Sequence, residues 1–410
     1  MDYVDLNPHL TDEQMALKEN TREFAAEVLR PAGLEMDRMT ADEAVGKDSL
    51  LWDVIRQLYE NGYHRMPFPA ELGGLGLDPL SLHIVMEELA YGSFGLGGAA
   101  LLAGFAPLMV VMGGDERLIE KHVVPFVDCT DGSIISCLAG TEPEHGSDVV
   151  MVNTPFYRDP KITKGIRAKR VGDDWIINGQ TAAWVSNGPI ATNAVIYPLI
   201  DPSRGMAGCG SFVIDLAQPG VTRGKPLEKM GQRDLTNGEI YFDDAIVPHE
   251  DMLAGPDLFE SHFDAALAFL NASMGAFFTG LARACYDLAV EYAKERVQGG
   301  KPIIEHTNIR LRLFDMLRKV ELCRAYSRAA FQYAMVTVPP KTTYSIIAKT
   351  YTTQACREVG YDAVEVFGGC GIAKEYPIEK LYRDTCLGPI EDGANDSLSL
   401  TACHALYDEK

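Results

Sequence analysis

The chain is predicted to be an α+β protein. It divides into an N-terminal helical domain over 1–134, a middle antiparallel β-domain (barrel or sandwich) over 135–255, and a C-terminal four-helix bundle over 256–410. Three observations predict this. Helical periodicity with cap signals runs through the first ~135 residues. From about Gly132 to Pro248 it gives way to short β-branched runs separated by Gly, Pro, Asn and Asp. After Leu258 long helical patterns return. The length of 410 residues suits two or three domains, and 47% hydrophobic residues suffice for a large core.

In the first domain, Thr11 ahead of Asp12 and Glu13 signals a helix start, and apolar periodicity continues to Leu29. Ser49 to Tyr59 and Ser81 to Tyr91 repeat the pattern, separated by the turn-rich Pro67–Gly76. Phe94 to Gly114 is 21 residues without a charge, long enough to cross a bilayer. It contains six glycines and Pro107, lacks Lys or Arg on its N-terminal flank, and stands alone. It therefore reads as a buried, kinked helical segment. The strands are expected at Ile134-Ile135, Trp175–Ile177, Ala194–Ile196, Ser211–Ile214 and Glu239–Phe242. The basic stretch Tyr157–Lys169 reads as an exposed loop. The bundle helices are expected near 260–297, 309–336, 341–367 and 394–407, broken at Gly299-Gly300 and Pro339-Pro340.

With 37 basic and 58 acidic residues the net charge is -21. That disfavours nucleic acid or an anionic membrane surface as the main partner. It leaves room for an anionic cofactor, because a few local Arg and backbone N–H groups can hold a pyrophosphate. Nine cysteines, odd in number and without a C-x-x-C pair, read as reduced, mostly buried thiols in a cytoplasmic compartment, with neither disulfides nor zinc. Met1 to Leu10 is polar and acidic, with no secretory signal pattern.

Five motifs carry the chemistry. Thr141-Glu-Pro-Glu-His-Gly-Ser-Asp148 is by itself a turn, and Asn178-Gly-Gln-Thr-Ala-Ala-Trp-Val-Ser-Asn-Gly188 a strand with a half-buried Trp. Tyr292-Ala-Lys-Glu-Arg-Val-Gln-Gly-Gly-Lys-Pro302 reads as a helix end where Arg suits the dipole. Gly368-Gly369-Cys370-Gly371 would let backbone approach a phosphate or ribose closely. Ile390-Glu-Asp-Gly393, followed by Ala-Asn-Asp-Ser, is a turn and N-cap sequence.

In this order and spacing, the motifs resemble those of acyl-CoA dehydrogenases, and the resemblance extends from Glu13 to about Leu400. It implies the helix–β–helix fold of that family, an FAD cofactor, an acyl-CoA substrate, an electron-transfer flavoprotein as redox partner and a homotetramer. It implies that Leu138, Gly140 and Thr141 touch the flavin, that Trp184 covers its face, and that Ser186 approaches N5. Flavins need donors at the pyrimidine edge to stabilise charge on reduction. Ser147 would meet the pantetheine. Arg296 and Gln298 would reach the pyrophosphate of an FAD held mainly by a neighbouring subunit, Arg binding phosphate oxygens bidentately. Gly369 and Glu365 would lie by the dinucleotide. Glu365 stands where the family carries Gln, so it needs a partner. One extra residue between Gly179 and Trp184 predicts a bulge.

The resemblance also implies a carboxylate base for the α-proton. Asp392 stands where the family commonly has Glu, and Glu391 beside it is the alternative. The place used by relatives with the base on a bundle helix is Leu270-Asn271, which has no carboxylate. Asp is shorter by about 1.3 Å, and a misplacement near ~1 Å can cost roughly a hundredfold in rate. The acyl pocket is expected beside Tyr91–Gly98, with Ser93 and Gly95 as substrate neighbours. Its four glycines would admit a bulky, branched or cyclic acyl group. No Arg stands there to bind a dicarboxylate. Two rivals differ in class. One is a nitroalkane-oxidase-like enzyme, which uses Asp at this place but carries an Arg soon after it, where Ser397, Leu398 and Ser399 stand here. The other is a catalytically silent subunit of a heteromeric dehydrogenase.

Overall fold

A computed structural model describes Leu6 and residues 9–408. The expectation for Met1–Leu10 falls mostly outside these residues. Helices α1 (Asp12–Phe24), α2 (Arg30–Met36), α3 (Ala41–Val45), α4 (Leu50–Glu60), α5 (Pro79–Gly92), α6 (Phe94–Ala103), α7 (Phe105–Gly113), α8 (Glu116–Leu118) and α9 (Val124–Asp128) come first. The Thr11 hydroxyl accepts from Gln14 N and the Gln14 side chain accepts from Thr11 N, so the expected start of α1 is a reciprocal cap. The charge-free segment is the pair α6 and α7, bent by 41° at Gly104.

Strands β1 (Ser136–Ala139), β2 (Arg167–Val171), β3 (Asp174–Gln180), β4 (Asn193–Ile196), β5 (Ser211–Asp215), β6 (Val221–Arg223), β7 (Ile240–Pro248) and β8 (Met252–Ala254) form two four-stranded sheets, ordered β1-β4-β5-β8 and β2-β3-β7-β6. All pairs are antiparallel except β1 on β4, which is parallel because a long connection carries the chain back to the same end. Ile134-Ile135 lies just before β1. The Ile134 carbonyl accepts from the Tyr59 hydroxyl at 2.5 Å, which fixes it to α4 and not to a strand.

The exposed-loop expectation for Tyr157–Lys169 is corrected. Tyr157, Lys164 and Ile166 are buried, and Arg167 already opens β2. Burial is tolerable because Lys164 Nζ meets Glu142 Oε1 at 3.3 Å and donates to the carbonyls of Gly140 and Tyr197 at 3.1 Å each. The bulge falls in β3, at the register shift between Ile177 and Gly179, where Gly179 takes φ 130°.

Helices α10 (Phe259–Glu295), α11 (Thr307–Val336), α12 (Thr342–Phe367) and α14 (Asn395–Tyr407) are the four expected. The nine-residue α13 (Pro377–Thr385) adds to them. A hairpin of β9 (Val297–Gln298) and β10 (Lys301–Pro302) follows α10, turning at Gly299 and Gly300 with φ 60° and 79°. α10 is long and apolar enough to span a membrane, yet its apolar window is 89% buried, against α5, α11 and α12. One apolar core joins the helices of both ends, and a second fills the β-domain. All nine cysteines are free and six are buried.

Candidate active site

The turn between α13 and α14 carries the two acidic candidates. Asp392 adopts φ 51°, the left-handed region that a non-glycine residue keeps only when its surroundings impose it. Its side chain is exposed, yet burial among protein atoms raises its pKa, with Lys349 pulling the other way. The carboxylate therefore reaches solvent while the protein around it disfavours its charge. Glu391 is half-buried. Its pKa is pushed up to about 8, first by burial and then by Asp392, against a Gln232 hydrogen bond and the charges of Lys349 and Lys229. Both carboxylates are thus held above their ordinary range. Glu391 is engaged by Gln232, while Asp392 faces solvent and is the member of the pair open to an incoming molecule.

Three connections fix this turn. Ser147 Oγ accepts from Ala394 N at 2.9 Å, joining the Thr141–Asp148 loop to the acidic turn. Gln232 Nε2 donates to Glu391 Oε1 at 2.9 Å, and Gln232 N donates to Asp384 Oδ1 at 2.5 Å. Lys349 of α12, fully buried, donates to Gly393 O at 2.6 Å and to Asn395 Oδ1 at 2.9 Å.

The remaining loops are tied to the same place. Thr141 O accepts from Ala182 N at 2.9 Å. Asn237 Nδ2 donates to Trp184 O at 3.1 Å and Ser186 Oγ at 3.2 Å. Lys229 Nζ in turn donates to Asn237 Oδ1 at 2.5 Å and Leu235 O at 2.6 Å, and burial pushes its pKa down to about 8. Trp184 is 62% exposed, an open aromatic face in a protein that buries most of its large rings. Leu138 and Gly140 are half-buried at the end of β1 and just after it. Thr141, Ser147, Trp184, Ser186, Glu391 and Asp392 are thus drawn into one hydrogen-bonded frame.

Ser93 and Gly95 are not pocket-lining. Ser93 is buried; its hydroxyl caps α6 through Leu96 N and donates to Asp234 Oδ2. A Cβ on Gly95 would come within 2.5 Å of Asp234 Oδ1, and one on Gly97 within 3.1 Å of Leu89. These glycines let elements pack closely. Of the four, Gly98 is the least tight, a Cβ there lying 4.0 Å from Leu235 Cδ2. Asp234 is buried and paired with Lys380 at 3.2 Å, and Lys380 with Asp384 at 2.7 Å, so this network braces the Gln232 loop from beneath. Gln232, Lys229, Lys349 and Asp234 were not singled out from sequence. Lys349 alone carried a signal, a cation directly after the apolar run Ile346-Ile347-Ala348.

Arg296, Gln298, Glu365 and Gly369 form a separate group. Tyr292, one turn before Arg296, stacks on Phe367 at 4.0 Å. Glu365 lies sixteen residues along α12 from Lys349, about 24 Å of helix axis. Its carboxylate is bonded to Arg312 Nη1, which supplies the partner it needed. Gly368 has φ 59°, and a Cβ on Gly369 would touch nothing, leaving room for close approach. The residues present fit a flavin dinucleotide: an open indole face within the hydrogen-bonded frame, and an exposed Arg and Gln at the second group.

Family models described as the N-terminal, middle and C-terminal domains of acyl-CoA dehydrogenase match residues 11–129, 137–245 and 263–405. Cyclohex-1-ene-1-carbonyl-CoA dehydrogenase of Geobacter metallireducens is 30% identical over 401 residues, covering 97% of this chain and 99% of that protein. The structure of butyryl-CoA dehydrogenase from Megasphaera elsdenii superposes with a TM-score of 0.85 at 28% identity, covering 98% of this chain and 100% of that one. A chain from a structure described as "Electron transferring flavoprotein of Acidaminococcus fermentans: Towards a mechanism of flavin-based electron bifurcation" also gives 0.85, at 27% identity over 99% of this chain and 100% of that one.

Proposed function

The chain belongs to the acyl-CoA dehydrogenase family of oxidoreductases, and on that premise we propose that it is an FAD-dependent enzyme in which Asp392 removes the α-proton of an acyl-CoA thioester. The observation that carries this reading is the carboxylate pair on one turn, tied to the Thr141–Asp148 loop through Ser147 and to the Gln232 loop through Glu391, with Asp392 left exposed. Bound FAD would supply the acceptor for the β-hydride. Thr141, Trp184 and Ser186 would hold the ring, and Leu138 and Gly140 would border it. Ser147, by gripping Ala394, orients the turn that carries the base.

The distance along α12 between Lys349 and Glu365 supports a homotetramer, in which Arg296, Gln298, Glu365 and Gly369 serve the dinucleotide of a neighbouring subunit. The cyclic substrate named for the Geobacter relative supports a bulky or cyclic acyl group. The flavoprotein description of one structural neighbour supports an electron-transfer flavoprotein as oxidant. Free thiols support a cytoplasmic setting. The three-part division at 134 and 255 accords with the element order.

Straight, branched and cyclic acyl-CoA thioesters, each mixed anaerobically with the purified yellow protein, test this reading. At least one should bleach the flavin. Oxygen uptake with a nitroalkane and no bleaching by any thioester would favour the oxidase. A colourless protein lacking one FAD per chain would favour the silent subunit.

A further inference from the structure

We propose that Lys349 is a positioning residue for proton abstraction: its buried ammonium group fixes the turn that carries Asp392 through the Gly393 carbonyl and the Asn395 side chain. The proposal rests on the reading of Asp392 as the base.

Lys349 lies inside α12 with no exposed surface. Its two short bonds end on Gly393 O and Asn395 Oδ1, one and three residues beyond Asp392. Asn395 is itself held, donating to Thr350 O at 3.2 Å and Thr353 Oγ1 at 3.1 Å. A single turn of α12 thus grips the start of α14 and the end of the acidic turn. The bond to the carbonyl of the next residue is a determinant of the left-handed backbone at Asp392.

Anchoring alone does not need a cation. A neutral amide or hydroxyl would satisfy a carbonyl without the desolvation penalty of a buried charge. The charge is compensated only by anions that face it. Those bearing on Lys349 are Asp392 and Glu391, both on the turn, while Lys229, from the loop before β7, bears on Glu391. Gln232 and Asn395, the other polar contacts of this group, are neutral. Lys349 in turn lowers the proton affinity of both carboxylates. Burial lowers the Lys349 pKa to about 8, against the pull of Asp392 and Glu391. The ammonium is therefore charged at neutral pH and lost just above it.

The test is the pH dependence of anaerobic flavin bleaching by the holoenzyme, with an acyl-CoA that reduces the wild type. Lys349→Met, Lys349→Arg and Asp392→Asn are compared, together with amide hydrogen exchange over residues 391–395. Wild-type bleaching should rise as Asp392 ionises and fall above about pH 8 as Lys349 loses its proton. In Lys349→Met the rising limb should move up by about one pH unit or more, with faster exchange in the turn. Lys349→Arg should keep the rising limb and lose the fall. A Lys349→Met enzyme with an unmoved rising limb overturns the proposal, given an Asp392→Asn enzyme that does not bleach. Should Lys349→Met fail to fold, a fall near pH 8 that persists in Lys349→Arg overturns it equally, since Glu391 or Lys229 would then be its source. Undiminished bleaching by Asp392→Asn would instead remove the base assignment itself.

Discussion

Asp392 and Glu391 differ in how the fold treats their protons, and that difference has a measurable sign. Glu391 has its pKa raised to about 8 in the folded protein, from 4.5. The folded state therefore holds a proton that the unfolded state has released. Glu391's contribution to stability is full below about pH 4.5 and declines as pH rises toward 8. Glu391→Gln keeps a neutral hydrogen-bonding group there. Its melting temperature relative to wild type should climb between pH 5 and 9 in a pH series. A constant offset would contradict the assignment. The paired acidic residues were legible from their place after the Gly368–Gly371 turn. Their raised proton affinities were not, because those depend on burial and on Gln232, Lys229 and Lys349, which are remote in sequence and joined only by folding.

At the scale of elements, α5 and α10 approach so closely that a Cβ on Gly280 would lie 2.1 Å from the Glu87 carbonyl oxygen. Backbone cannot give way there. Gly280→Ala should destabilise by about 1–3 kcal/mol or more in denaturant unfolding, and a wild-type midpoint would contradict the contact. The same helices share a buried ion network. Arg283 Nη1 lies 3.0 Å from Glu87, and Arg283 Nη2 lies 2.5 Å from Glu88, which Arg22 also meets at 2.6 Å. Arg283→Ala would remove the fully buried cation between Glu87 and Glu88, leaving them to Arg324 and Arg22, and should cost about 1–3 kcal/mol by the same assay. Helix starts at Thr11 and Ser49, and the long bundle helices, could be read from caps and periodicity. The helix α13 escaped because nine residues opening with Pro377 give too short a pattern. The packing of Ser93 and Gly95 against Asp234 was hidden for a related reason. Glycine in a helix signals either space or contact, and here Asp234 fills the gap.

For the molecule as a whole, the order of helical, β and helical regions was legible from texture alone. The separation of the dinucleotide residues into two groups was not, because each motif looks local in sequence. Leu311, Phe314 and Leu322 on α11 and Tyr351 and Tyr361 on α12 stay exposed. A face of that kind suits contact with other copies of the chain. Light scattering should give the mass of four chains, with one FAD each, and Phe314→Asp should lower that mass; a monomer that retains FAD would contradict the shared site. The central claim concerns Asp392, and rapid anaerobic mixing of wild type and Asp392→Asn with a thioester that decolourises the wild type tests it most directly. The account predicts that the variant, still yellow and folded, loses flavin reduction by about a hundredfold or more. An Asp392→Asn protein that turns colourless as fast as the wild type would contradict it.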